Sequence, residues 1–348
     1  MTTDSSEELP YATVKSLRVL GKIRDQPQDF QVEEVPAYAP EGRGEHLFVR
    51  FQKTDLNTPE AVRRIAEALG VDAREAGWAG LKDRRAVTSQ WASFHRADPD
   101  AARALVLPGI EILEAARHPH KIRTGHLRSN RFVIRIRGAR EHLTTAGQML
   151  DQLSQHGAPN YYGEQRFGRD GANLTRARAW LLEGAPPPRD RFQRKLIAST
   201  LQSEIFNQWL AARVRAGALD RVVQGDLMRK EDSGGLFIAS DVGEATERMQ
   251  RWEISPTGPM LGAKMRWPEG EAERVERALC EHWGLTTERL EQLRTLLPGT
   301  RRVARIRPAD VRLGEYPEGL EVAFTLPKGS YATVILRELL KPDVQALA

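Results

Sequence analysis

Strand patterns lie near both ends of this chain and enclose a long helix-rich segment. The stretches "DFQVEEV" and "HLFVRFQ" have the alternating, β-branched pattern of strands, and "LEVAFTLP" repeats it near the C-terminal end. Residues 159–302 are dominated by helical periodicity, most clearly in "FQRKLIASTLQSEIFNQWLAARVRAG". The pattern predicts an α+β fold in which the chain leaves a sheet, forms an insertion and returns to complete the sheet.

The length of the chain, 348 residues, is sufficient for two domains. We therefore predict a first domain in two parts, residues 1–158 and 303–348, interrupted by an insertion domain over residues 159–302. The proline-rich "GAPPPRD" and the glycine-containing "DSGGLF" mark loops inside the insertion.

Two segments of the first domain have well-marked patterns. "NTPEAVRRIAEALG" predicts a helix with Thr58 as N-cap, Pro59 at the first helical position and Gly70 as the C-terminal stop. "RFVIRIRG" predicts a strand with Phe132, Ile134 and Ile136 on one face. A helix is expected over residues 141–155, and "YATVILRELL" predicts a short one near the C-terminal end.

Composition excludes several classes of protein. No apolar run approaches the roughly 20 residues that span a bilayer, and the polar N-terminal segment lacks the apolar core of a signal peptide. Cys280 is the only cysteine, which excludes an internal disulfide and a cysteine-based metal cluster. We expect a cytoplasmic protein that does not enter a membrane.

Positive charge is concentrated in two segments. Residues 117–140 contain eight Lys or Arg, three His and no acid, and residues 300–312 contain five Arg and one Asp. Acid-free segments of this length, in a chain with 47 acidic residues, favour a polyanionic partner such as nucleic acid over a merely solvated face.

The stretch "AGLKDRRAVTSQW" (residues 79–91) holds one carboxylate, Asp83, beside three basic residues. Its simplest local interpretation is a solvated turn with loosely paired charges. Phosphate-binding glycine loops, HExxH and zinc-type Cys/His sets are absent from the sequence. Glycoside hydrolysis normally requires two carboxylates, whereas one can serve a reaction that does not end in water capture, such as a rearrangement.

The chain resembles the TruD family of tRNA pseudouridine synthases over nearly its whole length. The stretches that carry this resemblance are "PQDFQVEEVP", "GEHLFVRFQKTDLNTPEAVRRIA", "AGLKDRRAVTSQW", "RSNRFVIRIR", "PNYYGEQRFGRDGAN", "LIASTLQSEIFNQWL" and "LPKGSYATVILREL". Each stretch is a weak signal alone, but together, in this order and spacing, they are specific.

The resemblance implies a pseudouridine synthase fold, with a mixed, largely antiparallel sheet interrupted by a helix-rich TRUD insertion domain. It implies isomerisation of uridine 13, in the D-arm of tRNA, to pseudouridine without a metal or organic cofactor. Transfer RNA of the glutamate type is the expected partner. The sequence shows no dimerisation stripe, so we expect a monomer.

The resemblance assigns the catalytic role to Asp83, which could attack C1′ of the ribose or remove a proton from C2′. A sequestered carboxylate needs a cation nearby to stay charged. The family places a basic residue, usually lysine, just before the "PxDF" stretch, and Arg24 occupies that position here. Lys22 would share a strand face with Arg24, so either residue could be the charge partner of Asp83.

Phe30, Asn130, Phe132 and Tyr331 match family positions that contact the target nucleotide. Aromatic rings stack on unpaired bases, which offsets part of the free energy of extruding the base. The alternative for Phe30 and Phe132 is ordinary core packing, and for Asn130 it is a turn before a strand. No chemistry is assigned to the family stretch around Gln165, Arg166 and Phe167.

His46, His118, His120 and His126 suggest a metal site at first reading. Because they lie among arginines without an acidic ligand, phosphate contacts or a solvated face explain them better. Two further functions remain open: a non-catalytic tRNA-binding or RNA-folding protein, and a metal-dependent nuclease. The nuclease would need clustered carboxylates, which the basic segments lack.

Overall fold

The computed structural model of the protein describes residues 8–341, and these residues form two compact units. We call residues 18–151 and 308–332 the sheet unit, and residues 8–17, 152–307 and 333–341 the helical unit. The division of the chain into domains at residues 158 and 302 stays a prediction.

The helices and strands follow one another in the order β1 (Phe30–Pro36), β2 (His46–Thr54), α1 (Thr58–Ala68), β3 (Gly77–Trp78), β4 (Val87–His95), α2 (Pro99–Arg103), β5 (Ile110–His118), β6 (Leu127–Arg137), α3 (Leu143–His156), β7 (Ala158–Pro159), α4 (Ala172–Leu181), α5 (Arg191–Arg215), β8 (Leu227–Lys230), β9 (Leu236–Ile238), α6 (Val242–Gln250), β10 (Ile254–Met260), α7 (Gly270–His282), α8 (Thr287–Gln292), β11 (Thr300–Val303), β12 (Arg305–Ile306), β13 (Ala309–Tyr316), β14 (Gly319–Pro327) and α9 (Ala332–Leu340). Short 3₁₀ turns lie at Pro27–Asp29, Ala73–Glu75, Arg140–His142, Glu164–Arg166 and Arg169–Gly171.

The sheet unit is built on an eight-stranded sheet with the strand order β13-β14-β6-β1-β4-β2-β5, and β3 pairs with β4. The pair β1–β4 is parallel, while the other pairs are antiparallel. Strand β14 pairs with β6 along its whole length, from Gly319 opposite Arg137 to Pro327 opposite Ser129. The predicted mixed, largely antiparallel sheet and the return of the chain to it are confirmed.

Strand β2 shows why the sheet has two different faces. Leu47, Val49 and Phe51 pack with α1 in one apolar cluster, and Phe48 lies in a separate cluster with Trp91. Because side chains alternate along a strand, these clusters lie on opposite faces of the sheet. The predicted burial of Phe132, Ile134 and Ile136 on one face of β6 is also confirmed.

Helix α1 begins one residue earlier than its capping pattern predicts. Asn57 is the N-cap and Thr58 is already helical, so the prediction of Thr58 as N-cap is wrong. The Thr58 hydroxyl instead donates to Gln90 Oε1 at 2.9 Å, a tertiary bond that competes with capping. Gly70 does follow the end of the helix with φ +69°, as a C-terminal stop requires.

The helical unit has its core around α5, the longest helix of the part of the chain that is described. Residues of α4, α5, α7 and α8 share one apolar cluster. A four-stranded sheet, β11-β10-β8-β9, and the two-stranded pair β12–β7 accompany these helices and were not predicted. No helix within residues 8–341 combines the length and apolarity that crossing a membrane requires.

Candidate active site

Asp83 lies in the loop that joins β3 to β4, and three side chains from neighbouring elements hold this loop. Thr58 Oγ1 accepts a hydrogen bond from the Lys82 backbone N–H at 3.0 Å. Lys53 Nζ donates to the Asp83 carbonyl oxygen at 2.7 Å, and Gln90 Nε2 donates to the Gly80 carbonyl at 3.5 Å. The position of the Asp83 backbone is therefore fixed by the ends of β2 and α1 and by β4.

The Asp83 carboxylate contacts Arg24. Arg24 Nη2 donates to Asp83 Oδ1 at 3.2 Å, and the guanidinium lies over the Phe30 ring, 4.1 Å from its centroid. The Asp83 side chain is 35% exposed, whereas that of Arg24 is 15% exposed. Asp83 Oδ2 accepts no hydrogen bond within the described chain. The pair thus holds the carboxylate by one oxygen and leaves the other open.

Arg24 has a left-handed backbone, with φ +58°. This conformation is uncommon for a residue with a side chain, and it interrupts any alternation of side chains along the segment. Lys22 forms an isolated β-bridge with Arg137, its side chain is exposed, and it makes no contact with Asp83 among the described residues. The expectation that Lys22 and Arg24 share a strand face is wrong, and Arg24 is the residue that contacts Asp83.

Lys53 is fully buried at the end of β2. Burial lowers its pKa from 10.5 to about 8, although the nearby negative charge of Asp83 opposes this change. Lys53 is therefore largely protonated at neutral pH and supplies a second positive charge on the backbone side of Asp83.

A buried ion pair lies beside the same loop. Lys82 Nζ contacts Glu34 Oε2 at 2.5 Å, and both side chains are almost completely inaccessible. Glu34 Oε1 also accepts the Trp91 backbone N–H at 3.3 Å. Removal of one partner from such a pair leaves an uncompensated buried charge, so the Lys82–Glu34 pair fixes the residue before Asp83 to β1 and β4.

Phe30 lies beneath Arg24 and belongs to a cluster of three phenylalanine rings. The Phe30 and Phe132 rings meet edge to face at 6.3 Å, and Phe132 lies 5.5 Å from Phe324 on β14. Phe30 is 1% exposed and Phe132 is 5% exposed. Both rings pack in the core as the alternative predicted, and the Arg24 guanidinium lies on the Phe30 ring.

The other two predicted substrate-contacting residues are more accessible. Asn130 is half-buried, and its Oδ1 atom is inaccessible to solvent and has no hydrogen-bond partner in residues 8–341. Tyr331 follows β14 and is 46% exposed. No hydrogen bond or ring contact joins Tyr331 to Asp83, Arg24 or Asn130 within the described residues.

A family model described as tRNA pseudouridine synthase D (TruD) matches residues 8–186 and 190–339. The chain belongs to the TruD family. The tRNA pseudouridine synthase D of Anaeromyxobacter dehalogenans (strain 2CP-C) is 45% identical over 345 residues, covering 97% of this chain and 98% of that protein. A protein of the same name from Thermus thermophilus is 45% identical over 338 residues, covering 97% of this chain and 93% of that protein.

A crystal structure of a TruD protein from Methanosarcina mazei has the same fold. Its TM-score against this chain is 0.76 at 23% identity, and the match covers 97% of both chains. The pseudouridine synthase fold expected from the sequence is therefore confirmed.

Three ionisable or polar residues that hold the loop carrying Asp83 were not predicted from the sequence: Lys53, Glu34 and Thr58. Lys53 continues the buried phase of β2 after Leu47, Val49 and Phe51, and Glu34 continues the buried phase of β1. A charged residue in the buried phase of a strand indicates a paired group, since an unpaired buried charge is very unfavourable. That signal was present in the sequence.

The histidines singled out in the sequence gather in one place. His46, His118, His120 and His126 line a single cavity of the sheet unit. No group of three or more His, Cys, Asp or Glu within residues 8–341 is arranged to hold a metal ion. Arg166, from the family stretch left without a chemical role, lies in the helical unit, where its Nε donates to Ser203 Oγ at 3.1 Å.

Proposed function

We propose that this protein isomerises uridine 13 of tRNA to pseudouridine and that Asp83 is the catalytic carboxylate. The observation that carries the proposal is the state of Asp83. It is held by Arg24 at one oxygen, is open at the other, and lies on a loop that Lys53 and Thr58 fix. Family membership supports the reaction type.

The proposed reaction needs one carboxylate and no water. Asp83 attacks C1′ of the ribose or removes a proton from C2′, and either route breaks the N1–C1′ bond and frees uracil within the site. The base then rotates and C5 bonds to C1′, which breaks the Asp83–C1′ bond in the first route and returns the proton from Asp83 to C2′ in the second. The proton lost from C5 is balanced by the proton gained at N1. Arg24 orients the carboxylate through one oxygen, and Lys53 holds the Asp83 backbone through its carbonyl oxygen.

The predicted substrate contacts divide into two kinds. Tyr331 offers an exposed ring for stacking on the extruded base. The Asn130 Oδ1 atom is inaccessible and has no partner in the described structure, so the amide must rotate to reach the N–H edge of uracil. Phe30 supports Arg24 from below, and Phe132 packs against Phe30.

The test is conversion of an unmodified tRNA-Glu transcript by the purified protein, mapped by carbodiimide treatment and primer extension. We expect one pseudouridine, at position 13. Asp83→Asn should abolish conversion while filter-binding affinity for tRNA stays within a few-fold of wild type, because the substitution keeps the shape and removes only a negative charge.

Asp100→Asn is the matched control, since it removes one carboxylate from an exposed position on α2 that pairs only with the exposed Arg103. It should convert tRNA at the wild-type rate. Substantial conversion by Asp83→Asn would contradict the catalytic assignment. Binding without conversion by the wild type would favour the non-catalytic alternative. Light scattering of the same sample tests the expected monomer.

A further inference from the structure

A cavity of about 670 Å³ lies at the end of the sheet unit where β2 begins, and nothing in the proposed reaction uses it. Four histidines contribute to its lining: His46, His118, His120 and His126. Tyr38, Lys121 and Arg123 line it as well, with Ala39, Glu41 and Pro119. The volume lies within the range of roughly 300–1,000 Å³ found for sites that bind small molecules.

The walls of this cavity are aromatic. The Tyr38 ring lies 5.0 Å from His118 and 5.6 Å from His126, and its hydroxyl is 2.6 Å from His126 Nδ1. Phe48 supports His118 from the core side at 4.4 Å. Tyr38 is 37% exposed, so its ring is available to a planar ligand.

His118 is buried, with 4% of its surface exposed, yet its Nδ1 atom has no hydrogen-bond partner in residues 8–341. The His46 Nδ1 atom is also inaccessible and has no hydrogen-bond partner in these residues. Buried polar atoms without partners are rare in folded proteins and demand an explanation such as a missing ligand. Burial lowers the pKa of both imidazoles, which are then neutral at neutral pH and able to donate or accept a hydrogen bond.

The charges of the cavity favour an anion. Glu41 is the one carboxylate in the lining, and it is paired with Arg43 at 3.2 Å. Lys121 and Arg123 form no ion pair with any carboxylate of the described chain. Two free cations beside stacked rings and unpartnered imidazole nitrogens match the three parts of a nucleotide: its phosphate, its planar base and its polar edges.

The cavity is too far from Asp83 to hold the nucleotide that reacts. His46 begins β2 and Lys53, which contacts the Asp83 carbonyl, lies seven residues later on the same strand. At about 3.3 Å per residue the two ends are about 23 Å apart. Any nucleotide in the cavity is therefore a different one from the target uridine.

We propose that this cavity is a second nucleotide-binding site and that it takes a nucleotide of the substrate RNA away from the reacting uridine. Tyr38 stacks on the base, and Lys121 and Arg123 bind the phosphate. His118 and His46 bind the polar edges of the base. The choice of RNA as the source of the nucleotide rests on the proposed function, while the recognition chemistry does not.

The first test measures tRNA-Glu transcript binding across a salt series. The double variant Lys121→Gln/Arg123→Gln should bind about tenfold more weakly, with a salt slope smaller by about 2, because two phosphate contacts are lost. The control Arg63→Gln/Arg74→Gln removes two exposed arginines of the same unit outside the cavity, and should bind within twofold of wild type.

A second pair of variants tests the ring without a change of charge. Tyr38→Ala should weaken binding by about tenfold, as expected for the loss of one stacked base, whereas Tyr38→Phe should stay close to wild type. Equal binding by the Lys121/Arg123 variant and its control, together with equal binding by the two Tyr38 variants, would overturn the proposal. Thermal melts show that each variant is folded.

Titration with UMP, followed by the imidazole ¹H–¹³C signals of the protein, separates the possible sources of the nucleotide. Shifts at His118 and His126 that tRNA displaces support an RNA nucleotide in the cavity, and shifts that tRNA does not displace would overturn that assignment in favour of a free nucleotide. A wild type that binds RNA here but forms no pseudouridine would contradict the proposed function and keep the site. A wild type that forms pseudouridine while all variants bind tRNA normally would support the proposed function and contradict the second site.

Discussion

The Arg301–Glu276 pair of the helical unit and the Arg24–Asp83 pair of the sheet unit join the same chemical groups in opposite ways. Arg301 binds both oxygens of Glu276, each at 2.6 Å, and both side chains are 2% exposed. Arg24 binds one oxygen of Asp83 at 3.2 Å, and the carboxylate is one-third exposed.

The two pairs differ in how many carboxylate oxygens remain without a hydrogen bond. In the Arg301–Glu276 pair both carboxylate oxygens are occupied, so the pair can only hold β10, β11 and α7 together. Bidentate geometry of this kind gives strength and orientation. Asp83 is held at one oxygen and open at the other, as its proposed role as nucleophile or base requires. An arginine–carboxylate contact is thus a sign of function only when the carboxylate is incompletely satisfied.

The largest effect should come from breaking the saturated pair. Glu276→Ala leaves the Arg301 charge buried without its partner and should lower the free energy of unfolding by about 3–5 kcal/mol. Asp83→Ala should lower it by about 0–1 kcal/mol, because that pair is partly exposed. Urea unfolding of both variants checks the contrast. Equal losses of unfolding free energy would contradict the difference between a buried, saturated pair and a partly exposed one.

Lys53→Met should slow single-turnover conversion by about 100-fold, because the loop that carries Asp83 loses its anchor and small misplacements of reacting groups have effects of this size. Below pH 8 Lys53 is charged; above its pKa of about 8 the charge is lost, so the wild-type rate should fall as pH rises through that value. The variant should lack this fall.

The lowered pKa of Lys53 also predicts that the free energy of unfolding changes with pH. Its folded-state pKa of about 8 lies below the ordinary 10.5, so the unfolded chain binds more protons between these values. The free energy of unfolding of the wild type should therefore rise, relative to Lys53→Met, as pH increases from 8 to 10.5. Denaturant midpoints measured at several pH values test this, and parallel curves would contradict the lowered pKa.

Arg24→Lys should lower kcat by about tenfold with tRNA affinity unchanged. Lysine keeps the positive charge but lacks the planar group that lies over Phe30, so the Asp83 carboxylate is less well oriented. Single-turnover rates with saturating enzyme separate the two quantities. A full wild-type rate would show that charge alone is sufficient.

Lys22→Ala should have the smallest effect, with the rate within about twofold and the free energy of unfolding within about 0.5 kcal/mol of wild type, because its side chain is exposed and contacts neither Asp83 nor Arg24. The same two assays apply. A loss as large as that of Arg24→Lys would identify Lys22 as a second charge partner that the static contact does not reveal.

Patterns of two and 3.6 residues predicted helices α1 and α5 and four strands of the eight-stranded sheet, β1, β2, β6 and β14. Strands β1 and β6 show the signal best, because buried positions alternate along them. The same patterns could not find the four-stranded sheet of the helical unit. Its strand β10, "ISPTGPM", is buried at every position and contains two prolines, so it shows no alternation. The place of Arg24 in a motif predicted it as a partner of Asp83, but no local pattern in the sequence encodes its left-handed backbone or, with it, the separation from Lys22.

The pairing of β14 with β6 has a consequence for the order in which this protein is made. Gly319 leaves the ribosome about 180 residues after Arg137, which at roughly 5–20 residues per second is about 10–40 s later. Throughout that interval one edge of β6 awaits its neighbour and is open to wrong partners. Arginines at 131, 135 and 137 place like charges along that strand, which discourages two nascent chains on one polysome from pairing there. Arg135 and Arg137, which pair with carboxylates in the finished sheet, thus also protect it while it is incomplete.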